Sequence, residues 1–369
     1  LDDLSYGTGP DGSVVAKGPS VSYYAVRNAH WERVKKFDIG IDMNLFNQLN
    51  IVFDYFHDKR DRILLKRGSF PRLLGYANAV PWSNIGKVDN RGIELAVNWR
   101  KKITNDLNMD LRFNLTYNKN KYIYKDEPDY PYVWQSETGK PLSNTIGYIA
   151  EGLFKDQADI EMSPSQDELG STVMPGDIKY RDVNGDGKLD QNDYVYLGTD
   201  DPKLSYSINI ELEWKGFDLS AIFQGVGRRT VFRGGEGNET WRVPMSAIYL
   251  NTTTQSIGNT WNPENRNAYY PSYTSIGSIN NYNYQCSSWS VENGAYLRLK
   301  NLTLGYTLPA SWLAKTNAIS KLRIYFTGAD LWEHSKLRDG WDPEASRKTK
   351  DLGRYPFNRT FTVGVNATF

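Results

Sequence analysis

Wherever this chain is rich in apolar residues, hydrophobic and polar side chains alternate. Over 31–46, Phe37, Ile39, Ile41, Met43 and Leu45 share one parity, and Asp38, Gly40, Asp42 and Asn44 the other. Successive side chains of an extended backbone point to opposite faces, so this stretch predicts a strand with one apolar and one polar side. The same period returns over 50–60, 85–100, 107–121, 203–214, 217–228, 295–308, 321–332 and 355–369, which predicts nine strands. The fourth is the cleanest: Leu107, Met109, Leu111, Phe113, Leu115 and Tyr117 alternate with Asn108, Asp110, Arg112, Asn114, Thr116 and Asn118. A dry core would make Asp110 and Arg112 costly, so their face must meet water or polar partners. The seventh begins with Leu297 and Leu299 on one parity and continues with Leu302, Leu304 and Tyr306 on the other, which predicts a bulge near Lys300 and Asn301.

The connections sort by length. Those after strands one, three, five and seven are short turns, while those after two, four, six and eight are long and polar; one runs from Tyr122 to about Asp201. Outer-membrane barrels segregate their loops in this way, short in the periplasm and long outside, and a soluble sandwich has no reason to. The expected fold is therefore an all-β, antiparallel transmembrane β-barrel of the bacterial outer membrane with long extracellular loops, 176–200 being part of one. A bacterial single-chain barrel has an even strand count with both ends inside, yet nine strands are odd and the first begins outside. The expectation is thus the C-terminal part of a larger barrel. The chain starts at Leu1 without a charged and apolar leader pattern, so either a leader was removed or more chain precedes it.

Composition fits a barrel better than a helical membrane protein. Only 39% of the chain is hydrophobic and the mean hydropathy is −0.60, with no run near the roughly 18 apolar residues a membrane helix needs. A strand needs only every second residue to face lipid. Aromatic residues make up 14%, and Trp99, Trp214 and Phe369 fall at the predicted inner ends of strands, where an aromatic girdle belongs. The net charge of +1 gives no basic excess for nucleic acid. Cys286 stands alone, and His30, His57 and His334 lack metal-ligand spacing.

One loop carries a chemical motif. Asp182, Asn184, Asp186, Gly187 and Asp190 occupy positions 1, 3, 5, 6 and 9 of the calcium-loop template, with the Lys188 carbonyl at position 7 and Asp193 closing the loop. Oxygen ligands on alternate residues suit a hard cation, so a structural Ca2+ is expected; the competing reading is an acidic solvated turn. Asp193 replaces the usual bidentate Glu and no amphipathic helix flanks the loop, which argues for a clip rather than a sensor. The other long loops carry Trp241, Trp261, Tyr269, Tyr270, Tyr273, Tyr282, Tyr284 and Trp289 among Asn, Ser and Thr. Aromatic faces beside amides suit flat sugars or peptides, and equally suit packing of loop on loop. No grouping singles out a catalytic acid, base or nucleophile, so no enzyme is expected; the GVGRR run at Gly225 lacks the α/β context of a phosphate loop.

Five segments together resemble the C-terminal region of the SusC/RagA-type TonB-dependent transporters of Bacteroidetes outer membranes. They are PGDIKYRDVNGDGKLDQND (Pro175 to Asp193), Trp261 to Asn265 with Tyr270 and Pro271, AYLRLKNLTLGYTLP (Ala295 to Pro309), Gly340 to Glu344, and Tyr355 to Phe369. The resemblance implies the last nine or so strands of a plugged barrel of about 22 strands. It also implies a SusD-like surface lipoprotein as lid, coupling to TonB through an upstream part, and import of glycans or peptides. Polar residues such as Asp110, Arg112, Glu211 and Glu213 would then face the lumen. The rival reading is a secreted, calcium-stabilised β-protein that binds or hydrolyses carbohydrate; lipid exposure separates the two.

Overall fold

The computed structural model describes residues 2–7, 14–20, 24–26, 28–70, 80–170, 172–232, 256–272, 282–283, 285–314, 318–337, 342–344 and 358–369. Along the chain the strands are β1 (Asp2–Gly7), β2 (Val14–Ser20), β3 (Arg33–Leu45), β4 (Leu49–Lys66), β5 (Trp82–Lys102), β6 (Leu107–Tyr124), β7 (Thr145–Gly147), β8 (Ala150–Leu153), β9 (Ile178–Tyr180), β10 (Val195–Gly198), β11 (Leu204–Trp214), β12 (Phe217–Val226), β13 (Thr230–Phe232), β14 (Val291–Asn293), β15 (Tyr296–Thr307), β16 (Lys321–Ser335) and β17 (Thr360–Thr368). Among the described residues, the short helices α1 (Gln157–Glu161) and α2 (Ala310–Leu313) lie in connections. No described helix is long and apolar enough to cross a membrane.

The nine long strands form one sheet in the order β17-β16-β15-β12-β11-β6-β5-β4-β3, each beside its nearest long neighbour in sequence. The strand registers explain why the alternation works as a surface. Leu111 opposes Ile210, Phe113 opposes Ile208 and Leu115 opposes Tyr206. The row continues through Leu212 against Leu219, Leu219 against Leu304, Leu304 against Phe326 and Phe326 against Val363. Six strands thus present a continuous apolar face on one side, and slipping any of them by one residue would move its apolar set to the other face. Phe361, Val363 and Val365 are at least 60% exposed, so this face is not covered by the protein itself.

The turns follow local chemistry. Between β11 and β12, Lys215 and Gly216 both take left-handed backbone, φ 46° and 87°, the geometry that lets a two-residue hairpin match the strand twist. Trp214 and Phe217 flank that turn with ring centroids 6.2 Å apart, and Phe217 lies 4.4 Å from Tyr306, an aromatic group at the short-turn end. In β15 the register passes from Leu299 to Asn301 against both neighbours, leaving Lys300 as the bulged residue. Opposite it, β16 skips Asp330 and Leu331, and Asp330 has φ 55°.

Several strands run further than the alternation alone suggests. β4 continues from 60 to Lys66, β5 begins at Trp82 and β6 reaches Tyr124. Past the apolar zone the strict alternation is lost, as in β4, where Arg62 takes φ 59° and Ile63, Leu64 and Leu65 follow in a row, although the strands stay in the sheet. The described part of the last strand begins at Thr360.

The chain divides into two compact units. The first comprises Leu1–Asp38, Phe56–Arg91 and Lys119–Leu142, and is laced by surface pairs: Arg33 with Asp61 at 2.7 Å, Arg60 with Glu32 at 2.7 Å and Arg67 with Asp126 at 2.7 Å. The second comprises Ile39–Tyr55, Gly92–Asn118 and Ser143–Phe369, and holds three small two-stranded sheets, β7 with β10, β8 with β9 and β13 with β14. These have three or four residues per strand, too short to show a period in sequence.

Candidate functional site

Two arrangements in the second unit bear on function: the polar face of the long strands and a miniature core built from the long connections. On the polar face the register sets Glu211 opposite Asp110 and Asn209 opposite Arg112. Asp110 accepts from Arg100 at 2.7 Å and from Arg112 at 3.1 Å, and Arg112 lies 3.6 Å from Glu211. Asn108 donates to Glu213 at 3.4 Å and Asn114 to Ser207 at 3.3 Å. Further round, Arg323 grips Asp218 through two bonds of 2.9 and 2.5 Å. Charges here are satisfied along β6 and across to neighbouring strands, and Arg112 and Glu211 keep about 39% and 45% side-chain exposure.

The core of the connections gathers Tyr148, Ile178, Tyr180, Leu189 and Tyr282, all 1% exposed or less. Tyr148 lies 5.2 Å from Tyr180, and Tyr180 lies 5.5 Å from Tyr282. Their hydroxyls are accommodated: Tyr282 donates to Gln166 and to the Ile178 carbonyl at 2.8 Å, and Tyr180 donates to the Tyr282 carbonyl at 3.1 Å. Burial raises the pKa of all three phenols, so they act as neutral packing groups. Asp177 is fully buried beside them, and burial pushes its carboxyl up to about 6 despite bonds from the Asn283 amide and the Met174 N–H at 2.8 Å each.

Next to this core the calcium-type loop folds on its own backbone. Asp182 accepts from the N–H groups of Gly185 at 2.6 Å and Gly187 at 2.8 Å. Asn184 accepts from Asp186 N–H at 3.0 Å, and Asp186 from Lys188 N–H at 3.1 Å. Asp190 accepts from Asn192 N–H at 2.7 Å, while Asp193, fully buried, accepts from Val183 at 2.7 Å and Asp190 at 3.0 Å. The Lys188 ammonium reaches Glu168 at 3.1 Å. Asp182, Asp186 and Asp190 keep lone pairs beyond those their backbone donors use, as a carboxylate has about four, while Asp193 already takes three N–H groups. Among the described residues, however, no group of three or more His, Cys, Asp or Glu side chains gathers to hold a metal. The loop also serves the core: Ser165 and Leu189 exchange a backbone bond of 2.8 Å, which seats Leu189 inside.

The aromatic candidates separate by position. Tyr282 is 0% and Tyr270 5% exposed, so neither ring offers a face to a ligand, whereas Trp261, Tyr269 and Trp289 are half-buried. Tyr269 stacks on Trp289 at 4.6 Å and 11° and donates to the Trp289 carbonyl at 3.2 Å. The Trp261 ring lies against Gly176, where an added Cβ would come within 2.5 Å of it, so the glycine is required by close approach. Trp241, Tyr273 and Tyr284 lie outside the described residues.

Sequence reasoning did not single out Gln166, Asp177, Asn283 or the buried Arg298. The last carried a signal: a cation in the middle of an alternating strand, AYLRLKN, that cannot face lipid unpaired.

A family model described as TonB dependent receptor-like, beta-barrel, matches residues 1–330, and the chain belongs to that family. It is therefore an outer-membrane β-barrel protein, and the secreted soluble reading falls with that. TonB-dependent receptor P3 of Formosa agariphila is 28% identical over 97% of this chain and 36% of its own length. TonB-dependent receptor SusC of Bacteroides thetaiotaomicron is 26% identical over 93% of this chain and 32% of its own. The RagAB peptide importer in its open-open state superposes with a TM-score of 0.69 at 21% identity, over 100% of this chain and 37% of that one, a likeness of fold. The chain spans about a third of the length of these relatives.

Proposed function

We propose that this chain is part of the wall of a TonB-dependent importer of glycans or peptides, with a SusD-like surface lipoprotein as lid and TonB contact supplied by a part of the protein outside this chain. The observation that carries the reading is the two-faced sheet: a continuous, uncovered apolar face backed by a polar face of laterally paired charges, in a chain of this family. On the apolar face lipid replaces a core. Asp110, Arg112, Glu211 and Glu213 line the water-filled passage, and their mutual pairing keeps cargo from meeting a bare charge. The partly exposed rings of Trp261, Tyr269 and Trp289 contact cargo in the outer loops, together with Trp241 and Tyr284. The likeness of fold to the RagAB peptide importer makes peptides the class to test first. These residues hold and pass a ligand; no bond is made or broken.

The calcium-type loop belongs to the same proposal as a structural clip. Asp182, Asn184, Asp186, Asp190 and Asp193, with the Lys188 carbonyl, supply hard oxygen donors in the order Ca2+ prefers. A cation there stiffens the loop that seats Leu189 in the core. The lid is tested by purifying the full-length protein from outer membranes in mild detergent: an equimolar surface lipoprotein should accompany it, and purification of the transporter alone, with no lipoprotein even after cross-linking, would overturn that part.

A further inference from the structure

On four successive strands the parity that carries the apolar residues turns basic toward the outer end. Going outward, Phe37 is followed by Lys35, Tyr55 by His57 and Lys59, Ile93 by Arg91 and then Lys87, and Tyr117 by Lys119 and Lys121. Lys35, Lys59, Lys87, Arg91 and Lys119 are exposed. In β5 the intervening Gly86, Val88 and Gly92 are buried, so Lys87 and Arg91 point away from the inner side of the sheet.

The acids on this face are already engaged. Asp61 holds Arg33 at 2.7 Å, and Asp89 lies 2.6 Å from His57. Among the described residues, Lys35, Lys59, Lys87, Arg91, Lys119 and Lys121 make no ion pair. Lys35 and Lys59 share the parity of Arg33 and Asp61 on the adjacent strands β3 and β4, where Asp61 is already taken by Arg33. On β11 the apolar parity ends at Leu204, which pairs with Tyr117, so Lys119 and Lys121 lie outward of the end of that strand.

We propose that these six basic residues form a binding surface for the phosphate groups of an anionic lipid headgroup in the outer leaflet. They lie just past the apolar band on the lipid-facing parity, where long side chains reach the headgroup zone. The apolar residues inward of them on the same parity meet the acyl chain while the basic residues meet the phosphate, a combination that free phosphate cannot satisfy.

The test uses the full-length protein in an uncharged detergent, with diphosphorylated lipid A, its dephosphorylated form and inorganic phosphate as probes, read by native mass spectrometry. Diphosphorylated lipid A should be retained and the dephosphorylated form lost. The K59Q/K87Q/R91Q/K119Q variant, with its heat-modifiable migration intact, should bind the phosphorylated form about 100-fold more weakly at low salt, and added salt should narrow that gap. Equal retention of the two lipid forms by the unmodified protein overturns the proposal without any variant. Undiminished binding by the variant, or full displacement by millimolar inorganic phosphate, overturns it as well.

Discussion

The guanidinium of Arg298 lies 2.6 Å from the carboxylate of Asp342, a contact between residues 44 positions apart that joins two of the family-like motifs. Arg298 is 1% exposed and also bonds Glu333 through Nε at 2.8 Å, with Glu344 at 3.2 Å from Nη1. Lys300, the bulged residue, meets Asp330 and Glu344 at 3.1 Å each, and the buried Arg229 donates to the Pro343 carbonyl. The bulge places Lys300 beside this group, and the group anchors 342–344 onto β15.

Replacing Arg298 should therefore be costly. Arg298→Met leaves three partly exposed carboxylates without their forked partner, with Lys300 still at Glu344, so the cost should fall below the roughly 3–5 kcal/mol of breaking a fully buried pair. The temperature at which the folded band is lost in heat-modifiability gels should drop sharply. Arg298→Lys should recover only part, because an ammonium cannot bridge several acids in one plane. An unchanged transition for Arg298→Met would show that the cluster is dispensable.

Asp177 predicts a pH dependence in the loop core. Burial raises its folded pKa to about 6, so the folded state binds this proton more tightly than the unfolded chain does. Its contribution is full below the ordinary carboxylate range, declines as pH rises toward 6 and is level above. Asp177→Asn should raise the stability of the connections at pH 8 by about 2 kcal/mol and leave it nearly unchanged at pH 4. Urea titration followed by tryptophan fluorescence would check this, and a gain that is equal at both pH values would refute it.

The aromatic loops give a pair of opposite outcomes. Tyr282→Phe removes the donor to Gln166 and Ile178 and should cost about 1–2 kcal/mol of loop stability, with cargo affinity little changed. Trp289→Ala, which removes the ring stacked on Tyr269, should weaken cargo binding roughly tenfold. Calorimetric binding to the full-length protein separates the two, and the assignment fails if Trp289→Ala binds cargo normally.

For the clip, Asp182→Ala combined with Asp186→Ala should abolish Ca2+ binding by the full-length protein, measured by equilibrium dialysis. Retention of the same stoichiometry would remove the loop from consideration. Transport itself is not expected to stop, since the clip supports the loop rather than the passage.

The long strands were legible because lipid on one side and water on the other force a strict period, as Leu107 to Asn118 shows residue by residue. Even the bulge at Lys300 could be read from the parity change between Leu299 and Leu302. The outer extensions of β4, β5 and β6 were not, since Lys59 to Lys66, interrupted at Arg62 and apolar on both parities at Ile63, Leu64 and Leu65, carries no two-residue period. The miniature core was opaque for another reason. Tyr282 lies more than 100 residues from both Tyr148 and Tyr180, and an isolated tyrosine in a polar loop looks the same whether it packs or binds. Burial separates Tyr282 from Trp289; sequence does not.

The central claim is import across the outer membrane, and uptake measures it most directly. Cells lacking the full-length gene should fail to take up one class of labelled peptide or glycan, uptake should return with the gene, and collapsing the proton gradient should abolish it. Undiminished, energy-independent uptake of every peptide and glycan tested in the deletion strain would contradict the account.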